Sequence, residues 1–395
     1  LLLKVKKLEG IIMQSIEKIF NDLDGELKGH GPVAMKNLVE KEGKNVVGTY
    51  CVFTPYEVIS AADAVPVTLC STSNDTIDEA EKDLPRNLCP LIKSSYGFAI
   101  TDKCPYFHFA DIIVGETTCD GKKKMYEYLD EVTPVHVMQL PQSAERKADF
   151  DFWKNEVVLL KERLEEKFET EITAERLEAE IKIKNEERNT LKEFYELAKL
   201  NPAPIYGTEI FKVLNRSNYT FDKEIANKRT KAITEKVLAK YNQGEKRISE
   251  NAPRILVTGC PMGAATLKVI EAIENNGGSV VCLENCTGLK PNEENVDQDK
   301  NPIDAIAEKY LNTPCSCMSP NDNRVELIKR LVEEYQVDGV VDMILQACHT
   351  YNVETKRIKD ELKECNTPYI NIETDYSESD KGQLGTRLTA FLEML

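Results

Sequence analysis

No uncharged apolar stretch in the 395 residues is long enough to span a bilayer, which takes about 20 consecutive residues. The opening LLLKVKKLEGII interrupts its apolar run with Lys4, Lys6 and Lys7, so no secretory signal is expected and a cytoplasmic location is. Met13 offers a second natural start. Positive charge is also scarce: 51 Lys and Arg face 67 Asp and Glu, a formal charge of −16, and no basic patch gathers what there is. Such a surface repels phosphate backbones and anionic lipid, so neither nucleic acid nor a membrane is an expected partner. The Walker lysine loop and the full dinucleotide fingerprint are missing, so no ATP site is expected on this chain. The C-x2-C pairs of zinc ribbons and the C-x2-C-x2-C run of ferredoxins are missing too.

What the chain does have is 12 cysteines, within an ordinary composition of 41% hydrophobic and 30% charged residues that suffices for two compact domains. In a reducing compartment a disulfide framework is not expected, which leaves buried inert thiols, a nucleophile or metal ligands. The cysteines are clustered. Five lie between Cys51 and Cys119, seven between Cys260 and Cys365, and none from Asp120 to Gly259.

Hydrophobic patterning follows the same division. Asn45–Thr49, Val65–Leu69, Asp111–Val114 and Val135–Leu140 are short apolar runs alternating with helix-like segments, as in a buried parallel sheet. RILVTG (254–259), SVVCLE (279–284), GVVDMIL (339–345) and PYINIE (368–373) repeat the arrangement between helices expected near 264–275, 324–335 and 354–363. Between the two regions, Val157, Leu160, Leu164, Phe168, Leu177, Ile181, Phe194 and Leu197 recur at helical spacing. The Asn-Pro-Ala-Pro at 201–204 ends that stretch, and further helices are expected at 205–214 and 221–241. The expected architecture is therefore α/β: two doubly wound, Rossmann-like domains joined by a helical connector. Its divisions are an N-terminal helical segment (1–44), a first α/β domain (45–150), the connector (151–250) and a second α/β domain (251–395).

Ligands of open α/β sheets bind beyond the carboxyl ends of the strands. Cys51, Cys70, Cys119, Cys260, Cys286 and Cys348 each follow an apolar run, so both halves present thiols toward what would be one interdomain cleft. Cys89-Pro90, Cys104-Pro105 and Cys315-Ser316-Cys317 lie in loop contexts, whereas Cys282 inside a strand and Cys365 in a turn read as structural. His349 adjoins Cys348 and His108 lies in CPYFHF; each is a candidate proton donor or a satisfied structural histidine. His30 and His136 read as structural. Gly259–Gly263 joins a strand to a helix, either as an anion-binding turn or as a simple tight one. Lys122-Lys123-Lys124 reads as a solvated helix start or as charge compensation near Cys119, and Glu373 with Asp375 as site groups or a helix cap.

Taken together, GTYCVFTPYEVISAADAVPV, DIIVGETTCDGKKKMYEYL, VEEYQVDGVVDMILQACHTYNVE and INIETDYSESDKGQLGTRLTAFLEML resemble the 2-hydroxyacyl-CoA dehydratase and benzoyl-CoA reductase family of iron–sulfur subunits. LPRNLCPLIKSSYG, TDKCPYFHFAD, ENCTG and CSCMSPNDNR look closest to its double-cubane cluster proteins. That resemblance implies an 8Fe-9S double-cubane cluster with six cysteine ligands in the interdomain cleft, or, as in the dehydratase subunits, one 4Fe-4S cluster with three. Cys51, Cys119 and Cys348 occupy the motifs shared across the family. Cys104, Cys286 and one of Cys315 or Cys317 would complete six, with Cys70 and Cys89 in reserve. It further implies a homodimeric, oxygen-sensitive reductase of a small substrate, charged with low-potential electrons by a separate ATP-hydrolysing iron–sulfur activator. His108 and His349 are then the expected proton donors. A 2-hydroxyacyl-CoA dehydratase or aryl-CoA reductase subunit is the alternative, and a non-enzymatic electron-storage protein a second.

Overall fold

In the computed structural model, residues 15–25, 29–260 and 263–395 are described. Eight strands form two four-stranded sheets in which every pairing is parallel. The first holds β1 (Asn45–Tyr50), β2 (Ala64–Thr68), β3 (Ile112–Glu116) and β4 (Val135–Met138) in the order β2-β1-β3-β4. The second holds β5 (Arg254–Gly259), β6 (Ser279–Glu284), β7 (Gly339–Leu345) and β8 (Tyr369–Thr374) in the order β6-β5-β7-β8. Both orders reverse between the first and third strands, and a doubly wound sheet opens a binding crevice at that switch point.

The two-domain α/β architecture expected from sequence is therefore present. Every residue of β5, β6 and β7 is buried, as a sheet covered on both faces requires, and the edge strands β4 and β8 are partly exposed. The connector is two long helices, Lys147–Phe168 and Ala174–Lys199, broken at Glu169, which takes the left-handed conformation. Thr173 restarts the chain as an N-cap, accepting from the Arg176 amide at 3.3 Å. Two more helices, Gly207–Asn218 and Lys223–Asn242, lead to β5.

A helix at Pro302–Leu311, absent from the sequence expectation, starts on Asn301 as N-cap with Pro302 at its first position. Its Ile306, Tyr310 and Leu311 enter the core beneath the first sheet with Val47, Ile112, Phe53 and Trp153, whose rings meet edge-on at 6.3 Å. Cys315 and Met318 follow into the same core. A stretch of the C-terminal half thus returns to the first sheet and brings the Cys315–Cys317 loop to it. No helix among the described residues is long and apolar enough to cross a membrane.

Candidate functional site

Cysteines stand at matching places on the two sheets. Cys51 is one residue past β1 and Cys260 one past β5; Cys70 is two past β2 and Cys286 two past β6; Cys119 is three past β3 and Cys348 three past β7. The backbone turns sharply at these ends. Cys51 itself has φ +83°, Ala347 before Cys348 has φ +58°, and Gly259 before Cys260 has φ +111°. At Gly259 the left-handed turn needs glycine, since a Cβ would run into the Met343 carbonyl oxygen of the neighbouring strand. The two sheets face each other here: Gly263 abuts the Thr72 side chain, which follows β2, so closely that a Cβ would not fit.

Two groups of thiols form where the strand ends meet. In the first, Cys51, Cys286, Cys315 and Cys317 lie near enough that the charge state of each acts on the others. Burial pushes Cys51 well above the ordinary thiol range and Cys286 up to about 11. Cys315 instead is brought down to about 6, first by the hydrogen bond from Cys317 and then by the Lys290 ammonium against the cost of burial. In the second group Cys348 lies between Cys89 and Cys260, whose Sγ accepts from the Leu345 amide at 3.2 Å. Cys70 links the groups: it acts on Cys286, and it shares the buried Tyr376 with Cys89, Cys260 and Cys348.

Buried cations surround these thiols. Lys290, with no exposed side-chain surface, bonds Glu284 at 3.0 Å and the Tyr351 hydroxyl at 3.2 Å; that hydroxyl lies 3.9 Å from Cys286 Sγ. Arg324, equally buried, donates to Thr258 Oγ1 at 2.8 Å and pairs with Glu354. On the other side Lys122 lies 5.8 Å from the Tyr50 ring centre and favours the thiolate of Cys51. Beside it, burial pushes the Glu116 carboxyl up to about 7 although Thr54 donates to one oxygen; the other oxygen has no hydrogen-bond partner among the described residues. Of the lysine triplet, then, Lys122 points inward, whereas Lys123 and Lys124 pair with Asp120 and Glu127, each at 2.7 Å.

The remaining expected site residues make other contacts. Cys104 and Cys119 cap helices, each thiol accepting at 3.4 Å from an amide three residues on, Phe107 and Lys122. Cys104 also lies near Tyr50, beside Cys70. His108 is exposed and bonded to Asp102 at 3.0 Å, and His349 is exposed at the start of its helix. Glu373 points outward and accepts from Asn352; Asp375 accepts from the Ser377 amide within a turn held by the Lys268 ammonium. Pro261 and Met262 of the glycine-flanked turn lie outside the described residues.

Between the sheets and the connector is a cavity of about 630 Å³. Cys51, Cys70 and Cys286 line it, and Lys184 and Arg188 of the connector with Lys309 of the Pro302–Leu311 helix give it a basic wall. Neither that wall nor the Cys89–Cys348–Cys260 group was expected from the sequence. For the thiols the only signal was position after a strand or before proline, and for Lys309 there was none.

Among the described residues no three His, Cys, Asp or Glu side chains converge as ligands of a single metal ion. The ligands of an iron–sulfur cubane bind different irons and stand farther apart. Soft thiolates from several segments, enclosed by apolar walls and buried cations, are a donor set that fits such a group.

Residues 51–395 match the family model described as 2-hydroxyglutaryl-CoA dehydratase, D-component. The chain is 53% identical over 385 residues to the provisionally named dehydratase subunit YjiM of Escherichia coli (strain K12), covering 97% of this chain and all of that protein. It is 25% identical to the (R)-phenyllactyl-CoA dehydratase beta subunit of Clostridium sporogenes, over 97% of this chain and all of the relative. A benzoyl-CoA reductase subunit of Thauera aromatica is 22% identical, over 94% of each chain. With its matched strand-end cysteines and its two parallel sheets, the chain belongs to the 2-hydroxyglutaryl-CoA dehydratase D-component family.

Proposed function

We propose that this chain is the substrate-reducing component of an ATP-driven iron–sulfur system, with an 8Fe-9S double-cubane cluster between its two sheets. The observation that carries the proposal is the meeting of thiols from both sheets in two groups joined by Cys70. The ligands are drawn from Cys51, Cys104, Cys119, Cys286, Cys315, Cys317 and Cys348, with Cys70, Cys89 and Cys260 added by their position among the thiols. When bound, the cluster supplies low-potential single electrons received from a separate ATP-hydrolysing activator.

The chain's own residues set the conditions for this. Lys122, Lys290 and Arg324 bring fixed positive charge to thiolates that burial alone would keep protonated. The Tyr351 hydroxyl lies 3.9 Å from Cys286 Sγ; toward a thiolate, which can only accept, it is the donor, and hydrogen bonds of that kind raise the potential of a sulfur-bound cluster. Glu116 holds a proton near neutrality beside Cys51 and Lys122. Apolar side chains pack both sheets behind the strand ends.

A second reading rests on the relatives' names: a 2-hydroxyacyl-CoA dehydratase or aryl-CoA reductase subunit, with one 4Fe-4S cluster and a different partner subunit. Iron and acid-labile sulfide per chain, measured after anaerobic purification, separate the two. Content matching two cubanes supports the proposal, content matching one supports the second reading, and none removes both.

A further inference from the structure

The basic wall of the cavity has a charge imbalance that its own residues do not resolve. Four bases meet there: Lys184, Arg188, Lys223 and Lys309. Two buried carboxylates answer them. Glu57 binds Arg188 at 2.7 Å, and Glu187 binds Lys184 at 2.6 Å and Lys223 at 2.8 Å. Against the cost of burial, those two lysines hold Glu187 down to about 2, so its capacity is fully used.

Lys309 is left over. It is only 8% exposed, its one hydrogen bond among the described residues goes to the Pro291 carbonyl at 3.2 Å, and it pairs with no carboxylate there. Its ammonium lies 4.2 Å from the Tyr310 ring centre. Burial first, then Arg188 and Lys184, press it well below the ordinary lysine range; Glu57 and Glu294 oppose them. Arg188 beside it has no exposed side-chain surface, and its Nε has no hydrogen-bond partner among the described residues. The other acids at the cavity are engaged or turned away. Glu186 and Glu224 pair with exposed Lys231 and Lys228, and Asp222 caps its helix. Glu180 is held toward its neutral form by burial and by Glu57.

A lysine without a carboxylate partner among the described residues, on the wall of a cavity and backed by the buried charge of Arg188, is a site in want of an anion. We propose that Lys309 binds a small carboxylate, which makes the substrate a small organic acid whose charged end lies against Lys309 and whose reacting end faces Cys51 and Cys286. The substrate class rests on the reductive reading above; the binding itself does not, because it needs no cluster. A cavity of about 630 Å³ suits such a molecule.

The test is calorimetric titration of the full chain at neutral pH with sodium acetate, and with acetamide as the neutral isostere at equal ionic strength. Acetate should bind one site at least about tenfold more tightly than acetamide. Lys309→Met should weaken acetate by about tenfold or more, whereas Lys309→Arg should stay within about threefold. Equal affinity for acetate and acetamide in the unaltered chain overturns the proposal whether or not the Met variant folds, and so does a folded Lys309→Met variant that binds acetate as tightly as the unaltered chain. Iron content measured on the same preparation reports separately on the reductive reading.

Discussion

The two α/β units share a strand order and place cysteines one, two and three residues past corresponding strands, yet they surround those thiols differently. In the second unit, Lys290 and Arg324 are both buried and both near Glu284. In the first, buried Lys122 is the cation beside Cys51, and Glu116 keeps an oxygen without a hydrogen-bond partner among the described residues. The first unit also borrows a helix, Pro302–Leu311, from the C-terminal half for its core. Topology therefore sets where the thiols stand, whereas burial, neighbouring thiols and local cations together set how readily each ionises. Cys315, brought down to about 6, stands beside Cys317, which is pushed up by its partner and by burial.

Matched substitutions break or sharpen this comparison. The largest effect should come from Cys51→Ala and Cys348→Ala, which carry family motifs on opposite units. Each should lose cluster iron and turnover while keeping the far-ultraviolet circular dichroism of the fold; full iron in either removes that residue from the ligand set. Cys260→Ala, at the place matching Cys51, tests whether equivalent positions have equivalent roles. Equal iron loss in the two would make the units functionally symmetric.

Next comes the connector's hold on the first unit. Arg188→Met leaves Glu57 buried with the Tyr310 hydroxyl but without its cation, and breaking such a pair costs about 3–5 kcal/mol. Urea denaturation should show it, and a loss below about 1 kcal/mol would mean that the pair contributes little beyond a surface bridge.

A smaller effect belongs to the second unit. Burial pushes Glu274 up to about 7 from an ordinary 4.5, although Gly207 and Thr208 donate to it. The folded state then binds more protons than the unfolded one between those values. Its contribution is complete below about pH 4.5 and falls as pH rises toward about 7. Glu274→Gln should remove up to about 1.4 kcal/mol per pH unit of slope in that window, and an unchanged slope would contradict the raised value.

The smallest effect is expected at the histidines. Because His108 and His349 are exposed, asparagine at either should cost less than about twofold in turnover. A loss of about a hundredfold would restore that residue as a proton donor.

Much of the fold was legible because its strands are continuous apolar runs. RILVTG, SVVCLE and GVVDMIL match β5, β6 and β7 residue for residue. The Pro302–Leu311 helix was missed although Asn301-Pro302 marks its start, because its short apolar face belongs to a core far away in sequence. For the site, a position past a strand end located Cys51, Cys286 and Cys348. It did not show that Cys89 would meet Cys348 across more than 250 residues, nor that Cys104 and Cys119 would cap helices. Proximity to a cysteine in sequence gave no guide to side-chain direction, which is why His349 adjoins Cys348 and still points to solvent. Lys309 was invisible for a related reason: a lysine becomes unusual only through the Arg188 and Lys184 that tertiary packing sets beside it.

The central claim is that thiolates from both units hold one inorganic assembly. Anomalous scattering at the iron edge from anaerobically grown crystals tests it most directly. The account predicts iron peaks between the carboxyl ends of the two sheets, bonded to sulfurs of Cys51 and Cys348 together with others from both units. Iron bonded to thiolates of one unit alone, or no iron between the sheets, would contradict it.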